Sequence, residues 1–273
     1  MRFECGMASD VKEAGGRPGV LRTPIESMRG KAARRLFVDA SLEPGGAVAL
    51  DEGQSHYLLH VLRAKAGDRV LLFNGRDGEW QAEIGAASKR GVTVAVRAQT
   101  EKQTDVPDVW LVFAPVKKTP ADYLAQKATE LGVRKLQPVF TRRTIVTRVN
   151  QERLWANAVE AAEQSARLTV PEVGEAVALE KLLGAWPRER RLFFCDEGGD
   201  AKPLAHAARE AGEGPCAILT GPEGGFDPQE REALRAHALV TPVTLGPRIL
   251  RADTAALAAL AIWQSVKGDF AQL

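Results

Sequence analysis

Cysteine, histidine and tyrosine are scarce in this chain, and it has no long apolar run. The three cysteines, Cys5, Cys195 and Cys216, lie far apart with no CxxC pair, which excludes a disulfide framework or a zinc ribbon and fits a reducing cytosol. The longest uninterrupted apolar stretch, Ala255 to Trp263, falls well short of the roughly 20 residues that a membrane helix requires. Charge of one sign is not in excess: a net charge of +2 is too small to announce a nucleic-acid partner. Residues 1–27 contain Glu4, Asp10 and Glu13 and no continuous apolar core. They read as a flexible extension rather than a secretory signal or transit peptide. Patterned sequence begins only at Arg34, which leaves Met28 as an alternative start.

What is present is globular in character. With 273 residues, 45% hydrophobic and 26% charged, the chain is long enough for two domains with real cores. Its charge is uneven, because residues 117–167 hold ten basic side chains against five acidic ones. Arginine outnumbers lysine about twofold, and a guanidinium fork suits phosphate and base edges, though a solvated helix face gives the same count. RRLFVDA (34–40) reads as a strand, 55–66 as a helix with Leu58, Leu59, Val61 and Leu62, and RVLLFNGRDGEWQAEI and VTVAVRAQ (92–99) as three further strands. The polar EKQTDVPD (101–108) is the linker candidate. Beyond it, strands at 109–116, 135–140, 191–196, 216–221 and 240–246 are separated by helices, including 121–131 after Pro120, about 151–168, and a last one from Asp253, read as its cap. That alternation predicts an α/β fold, a largely parallel sheet covered on both faces.

The most informative segment is CAILTGPEGGFDPQEREAL (216–234), an apolar strand, a glycine turn and a helix. Asp227, Pro228 and Glu230 supply its N-cap, first-turn proline and third-position acid. The turn Gly221-Pro222-Glu223-Gly224-Gly225 therefore stands at the carboxyl end of a strand, where open α/β sheets bind ligands. Neither GxxxxGK[ST] nor GxGxxG follows this strand, which weakens ATP and NAD readings. A second loop, Leu245-Gly246-Pro247-Arg248-Ile249-Leu250-Arg251, leads directly into the last helix. Two such loops suit a ligand gripped at its adenine edge and sugar rather than at a triphosphate.

LTGPEGGFDPQE and LGPRILRADTAALAAL, with KATELGV (127–133), EAAEQSAR (160–167) and VPEV (170–173), resemble the ribosomal RNA small subunit methyltransferase E family. HYLLHVLRAKAGD (56–68) resembles that family's amino-terminal module, and the resemblance spans residues 34–273. It implies a SPOUT-type parallel sheet with a carboxyl-terminal trefoil knot, S-adenosylmethionine as cofactor, and a PUA-like RNA-binding β barrel. The expected division is 28–100 for the barrel, 101–108 for the linker and 109–273 for the methyltransferase domain. It further implies N3-methylation of one uridine of 16S rRNA within the small ribosomal subunit, by a cytoplasmic homodimer without metal or membrane. Departures are Asp253, where the family often has glutamate, and Ala252, where threonine is common.

On that resemblance the cofactor is assigned to Leu219, Thr220, Gly221, Pro222, Gly224 and Gly225, and to Leu245, Gly246, Ile249, Leu250, Arg251 and Thr254. Uridine N3 is a poor nucleophile while protonated, so the reaction needs a base, or a cation for the charge that spreads to O2 and O4. Arg251 and Arg167 are read as charge stabilisers and Glu223 as base or orienter, with an Arg167–Glu163 ion pair as the structural alternative. Arg34, Arg35, Arg63, Lys117, Arg143, Gln164 and Arg167 are the expected RNA contacts. His56 and His60 lack a third ligand nearby in sequence, Trp80 suits a core better than a stacked base, and Gln126, Lys127 and Glu130 suit a helix surface. Two rivals remain: a ribosome assembly factor that binds RNA without turnover, and a methyltransferase of another RNA.

Overall fold

Alternating side chains before residue 102 build a five-stranded sheet. In the computed structural model, which describes residues 34–85, 91–116, 121–196, 198 and 200–272, its strands are β1 (Arg34–Phe37), β2 (Ala47–Ala49), β3 (Arg69–Phe73), β4 (Glu79–Ile84) and β5 (Thr93–Glu101). The expected extension 1–27, Lys117 and Pro120 lie outside the described residues. Spatial order is β1-β3-β4-β5-β2, with β1 parallel to β3 and the other pairs antiparallel. One face buries Leu36, Val70, Leu72, Val94 and Trp80, whose indole N–H donates to Asp77 O at 2.7 Å. Trp80 is thus a core residue.

Between β2 and β3 the helix begins earlier than its apolar pattern suggests. Asp51 and Gln54 form a capping box, so α1 (Glu52–His56) starts at Glu52 and continues as a π-helical turn, Tyr57–Val61. The chain leaves the helix at Arg63, where φ is +53°, short of the expected residue 66.

From residue 109 strands and helices alternate: β6 (Val109–Phe113), α2 (Ala121–Glu130), β7 (Lys135–Phe140), α3 (Gln151–Gln164), β8 (Glu172–Val173), β9 (Val177–Ala178) and α4 (Leu179–Gly184). There follow β10 (Arg191–Cys195), β11 (Lys202–Pro203), α5 (Leu204–Glu210), β12 (Cys216–Thr220), α6 (Pro228–Ala236), β13 (Val240–Thr244) and α7 (Ala252–Lys267). The sheet runs β11-β13-β10-β12-β6-β7-β8, β9 pairs with β7, and every pairing is parallel. Successive strand residues therefore serve two cores. Leu111, Phe193 and Ile218 pack under α2, α5 and α7, while Val112, Phe194 and Leu219 pack against Leu179 of α4 and Leu234 of α6. Residues 34–273 form one compact unit, and among the described residues no helix is long and apolar enough to cross a membrane.

Two further helix ends differ from the sequence pattern. α3 stops at Gln164 instead of running to about 168, because Ser165 Oγ donates back to Ala161 O at 2.7 Å and Ala166 turns to φ +60°. Asp253 is not the cap of α7: Arg251 takes that position without a side-chain cap bond, and Asp253 Oδ1 instead accepts the Thr254 N–H at 2.7 Å.

Candidate active site

Parallel pairing puts the carboxyl ends of β6, β7, β10, β12 and β13 at one pole. β12 is buried along its whole length and delivers Thr220 there, its carbonyl accepting the Ala114 N–H at 3.1 Å. Gly221 is required by what lies above it: a Cβ would come within 2.6 Å of the Phe226 ring, which stands edge-on to Phe194 with centroids 4.9 Å apart. Pro222 O accepts the Gly225 N–H at 2.9 Å, and Gly225 adopts φ +66°. The turn then enters α6 through the expected capping box, Asp227 accepting from Gln229 N and Glu230 from Asp227 N.

The second loop leaves β13 through Gly246 at φ +118°, whose N–H donates to Thr244 Oγ1, and ends at Arg251. Thr220 below the first loop, and Ala252 and Asp253 at the end of the second, line one cleft with Phe113, Ala114 and Leu124. Leu219, Thr220 and Pro222 are buried; Gly221, Gly225, Leu245 and Leu250 are half-buried. Glu223, Gly224, Gly246, Ile249, Arg251 and Thr254 are exposed.

A third segment, which follows β7, reaches over the first loop. Arg143 Nη1 donates to Gly224 O at 2.9 Å, and the neighbouring Arg142 donates its N–H to Glu230 Oε1 at 2.8 Å and its guanidinium to Asp227 and Gln229. Arg142 was not legible as a site residue, since its partners lie more than eighty positions away. Asp196, at the end of β10, was also missed. β10 lies between β12 and β13, so Asp196 emerges between the two loops, 5% exposed and bound by Arg231 Nε at 2.8 Å and Arg235 Nε at 2.7 Å. Burial alone would raise its carboxyl pKa, yet the hydrogen bonds from the two arginines prevail and hold it below the ordinary value. A signal for it existed: RLFFCDEGGD, like CAILTGPEGG, is an apolar strand followed by a glycine-rich acidic turn.

Two expected site residues are placed elsewhere. Arg167 is 8% exposed and donates to Thr129 O at 2.9 Å, Val133 O at 2.6 Å and Thr169 Oγ1 at 3.0 Å. Burial pushes its pKa down to about 10. Its guanidinium is committed to the chain's own carbonyls, which corrects both the catalytic and the RNA-contact expectation. The alternative ion pair is absent too, because Glu163 Oε1 accepts the Phe37 N–H at 3.0 Å. Arg35 is likewise withdrawn from RNA, pairing with Glu79 at 2.5 Å and donating to three carbonyls of the α3 end. Arg34, Arg63 and Gln164 remain exposed. The His56 and His60 rings lie 4.8 Å apart, and among the described residues no group of three or more His, Cys, Asp or Glu is placed to hold a metal. Lys127 pairs with Glu130 on the surface, and Gln126 donates to Asn157.

The comparisons with known proteins agree with this architecture. Residues 102–264 match the model of an RNA methyltransferase domain and residues 50–97 that of an RNA methyltransferase PUA domain. The ribosomal RNA small subunit methyltransferase E of Rickettsia conorii is 32% identical, over 83% of this chain and 93% of its own length. That of Bacillus subtilis is 28% identical over 83% and 94%. The crystal structure of the Neisseria gonorrhoeae ribosomal RNA small subunit methyltransferase E bound to S-adenosylmethionine superposes with a TM-score of 0.77 at 29% identity, covering 87% of this chain and 99% of that one. With a parallel sheet, two glycine-bearing loops at its carboxyl pole and this likeness over nearly its whole described length, the chain belongs to the ribosomal RNA small subunit methyltransferase E family.

Proposed function

We propose that this chain transfers the methyl group of S-adenosylmethionine to N3 of one uridine in the 16S rRNA of the small ribosomal subunit. The observation that carries the reading is that Thr220, directly before the 221–225 loop, and Ala252 and Asp253, directly after the 245–251 loop, line one cleft at the carboxyl pole of a parallel sheet. The residues present fit the cofactor. Gly225 and Gly246 hold conformations that side-chain-bearing residues avoid, so both turns are tight and present no side chain there, and neither loop carries a lysine for a triphosphate. When bound, S-adenosylmethionine supplies an electrophilic methyl group on a sulfonium. Main-chain groups of residues 219–225 and 245–250 orient it, and Phe226, packed on Gly221, keeps the first loop in place.

Arg251, exposed at the rim and without a side-chain cap bond, is assigned to the negative charge that develops on uridine O2 and O4 as the N3 proton leaves. Glu223, exposed on the first loop, is assigned as base or orienter. Arg143, Arg34, Arg63 and Gln164 are assigned to RNA. We also assign residues 28–100 to an RNA-binding PUA-like module, 101–108 to a linker and 109–273 to the methyltransferase part. A trefoil knot is supported by β13 lying beyond β10 while the following helix α7 returns to pack on α2, β6 and β12. The exposed Ile249 and Phe270 support a homodimer, and the rRNA substrate a cytoplasmic location.

The deciding experiment incubates the protein with labelled S-adenosylmethionine and small subunits that lack their modifications. Label at N3 of a 16S uridine is expected. Tight subunit binding with no label would leave an assembly factor, and label confined to another RNA or another atom would replace the substrate.

A further inference from the structure

The edge strand β1 is fastened to α3 by side chains that neither sheet's core requires. Leu36 points into the five-stranded sheet, whereas its neighbours Arg35 and Phe37 turn to α3. Arg35 Nε meets Glu79 Oε2 at 2.5 Å, Nη1 donates to Ala162 O at 2.7 Å and Glu163 O at 3.1 Å, and Nη2 donates to Arg167 O at 2.9 Å. Those carbonyls are acceptors at and just past the end of α3, where the helix dipole is negative and no intrahelical donors remain. A second fastener runs the opposite way, from Phe37 N–H to Glu163 Oε1, and the Phe37 ring stands edge-on to Trp155 of α3 at 5.8 Å. The guanidinium also lies over Phe73 of β3, 4.4 Å from the ring centroid, and Thr100 Oγ1 of β5 holds the other oxygen of Glu79. Each sheet has its own apolar cluster, so the lock sets how the two parts stand to one another rather than whether either folds.

We propose that Arg35 is a positioning residue for RNA: by locking β1 to the carboxyl end of α3 it holds the RNA-contacting sheet at a fixed distance and angle from the cleft. The proposal rests on the methyltransferase reading above. An RNA that touches both the sheet and the cleft is a bivalent ligand, and its capture depends on the two surfaces being held in register before it arrives. S-adenosylmethionine touches only the cleft and gains nothing from the lock.

Arg35→Lys keeps a charge opposite Glu79 but loses the planar fork for three carbonyls, and Arg35→Gln loses the charge as well. Both variants are expected to bind S-adenosylmethionine within about twofold of the wild type by calorimetry and to keep kcat at saturating small subunits within about threefold, while KM for subunits rises about tenfold. Hydrogen exchange at the Phe37 amide is expected to accelerate about tenfold, with the Val112 and Ile218 amides of the central sheet unchanged. An unchanged KM, or a loss of donor affinity and kcat in parallel with KM, overturns the proposal. If the wild type methylates nothing, the functional reading fails separately. Subunit binding by the two variants then still decides: about tenfold weaker retention supports the lock, and equal retention overturns it.

Discussion

Arginines occupy two contrasting regions of this molecule. In the seam and beneath the sheets, Arg35, Arg167 and Arg190 are enclosed, and their guanidinium groups bind the chain's own oxygens. Arg190 lies over Trp110 at 3.8 Å, pairs with Asp108 at 2.9 Å and donates to Cys216 O. In the 245–251 loop Arg248 and Arg251 are exposed, and over the 221–225 loop Arg143 spends one bond on Gly224. The same fork of donors is structural where carbonyls converge on it and free for substrate where they do not. Sequence position alone does not separate the two, whereas hydrogen-bond partners do.

The largest effect that would break this contrast is expected at Arg167. Arg167→Ala takes the guanidinium donors from Val133 O and Thr129 O, leaving Thr129 O only the Gly132 N–H, and opens a cavity; it is expected to cost about 3 kcal/mol, or about 9 °C in Tm. Donor affinity measured well below the transition should stay at the wild-type level; a selective loss of turnover with an unchanged Tm would return Arg167 to the chemistry. Arg251→Ala is expected to do the reverse, lowering kcat about 100-fold, equivalent to about 2.7 kcal/mol, without lowering Tm. Undiminished single-turnover methylation would remove Arg251 from the reaction.

The smallest effect concerns Glu163. Burial raises its carboxyl pKa above the ordinary value, against the opposing pull of the Phe37 N–H and Arg35, so the folded state takes up a proton more readily than the unfolded one. Its contribution is therefore favourable below the ordinary carboxylate pKa and is lost as pH rises through the raised one. Glu163→Gln keeps the acceptor for Phe37 N–H and removes the charge. Partial exposure screens the gain, which is expected to stay below about 0.5 kcal/mol at pH 7. Urea unfolding from pH 4 to pH 7 should show the wild type losing stability relative to the variant as pH rises, and parallel curves would contradict this.

Sequence revealed most where one strand or one turn carries its own signal. The apolar runs of β6, β10 and β12 and the Asp227-Pro228-Glu230 helix start need no distant partner to be recognised, and the parallel sheet follows from their alternation. The two-residue strands β8, β9 and β11 are too short to show a period, and β2 rests on pairing with β5 across more than forty residues. The two glycine loops, proposed as the cofactor site, stand out in sequence by their own grammar, whereas the partners of each arginine do not. Arg35 finds its carbonyl partners more than 120 positions away, and Arg167 its carbonyl partners more than 30, on a helix end and turn that only the tertiary fold brings near.

The start of α7 carries a last consequence. Arg251 stands where serine, threonine or aspartate would cap the helix, and its positive charge faces the positive end of the helix dipole. Exchanging it for aspartate would steady the helix by roughly 1 kcal/mol. A selection that rewarded heat tolerance alone would thus drift away from arginine at residue 251, and its hardier survivors would be slower catalysts.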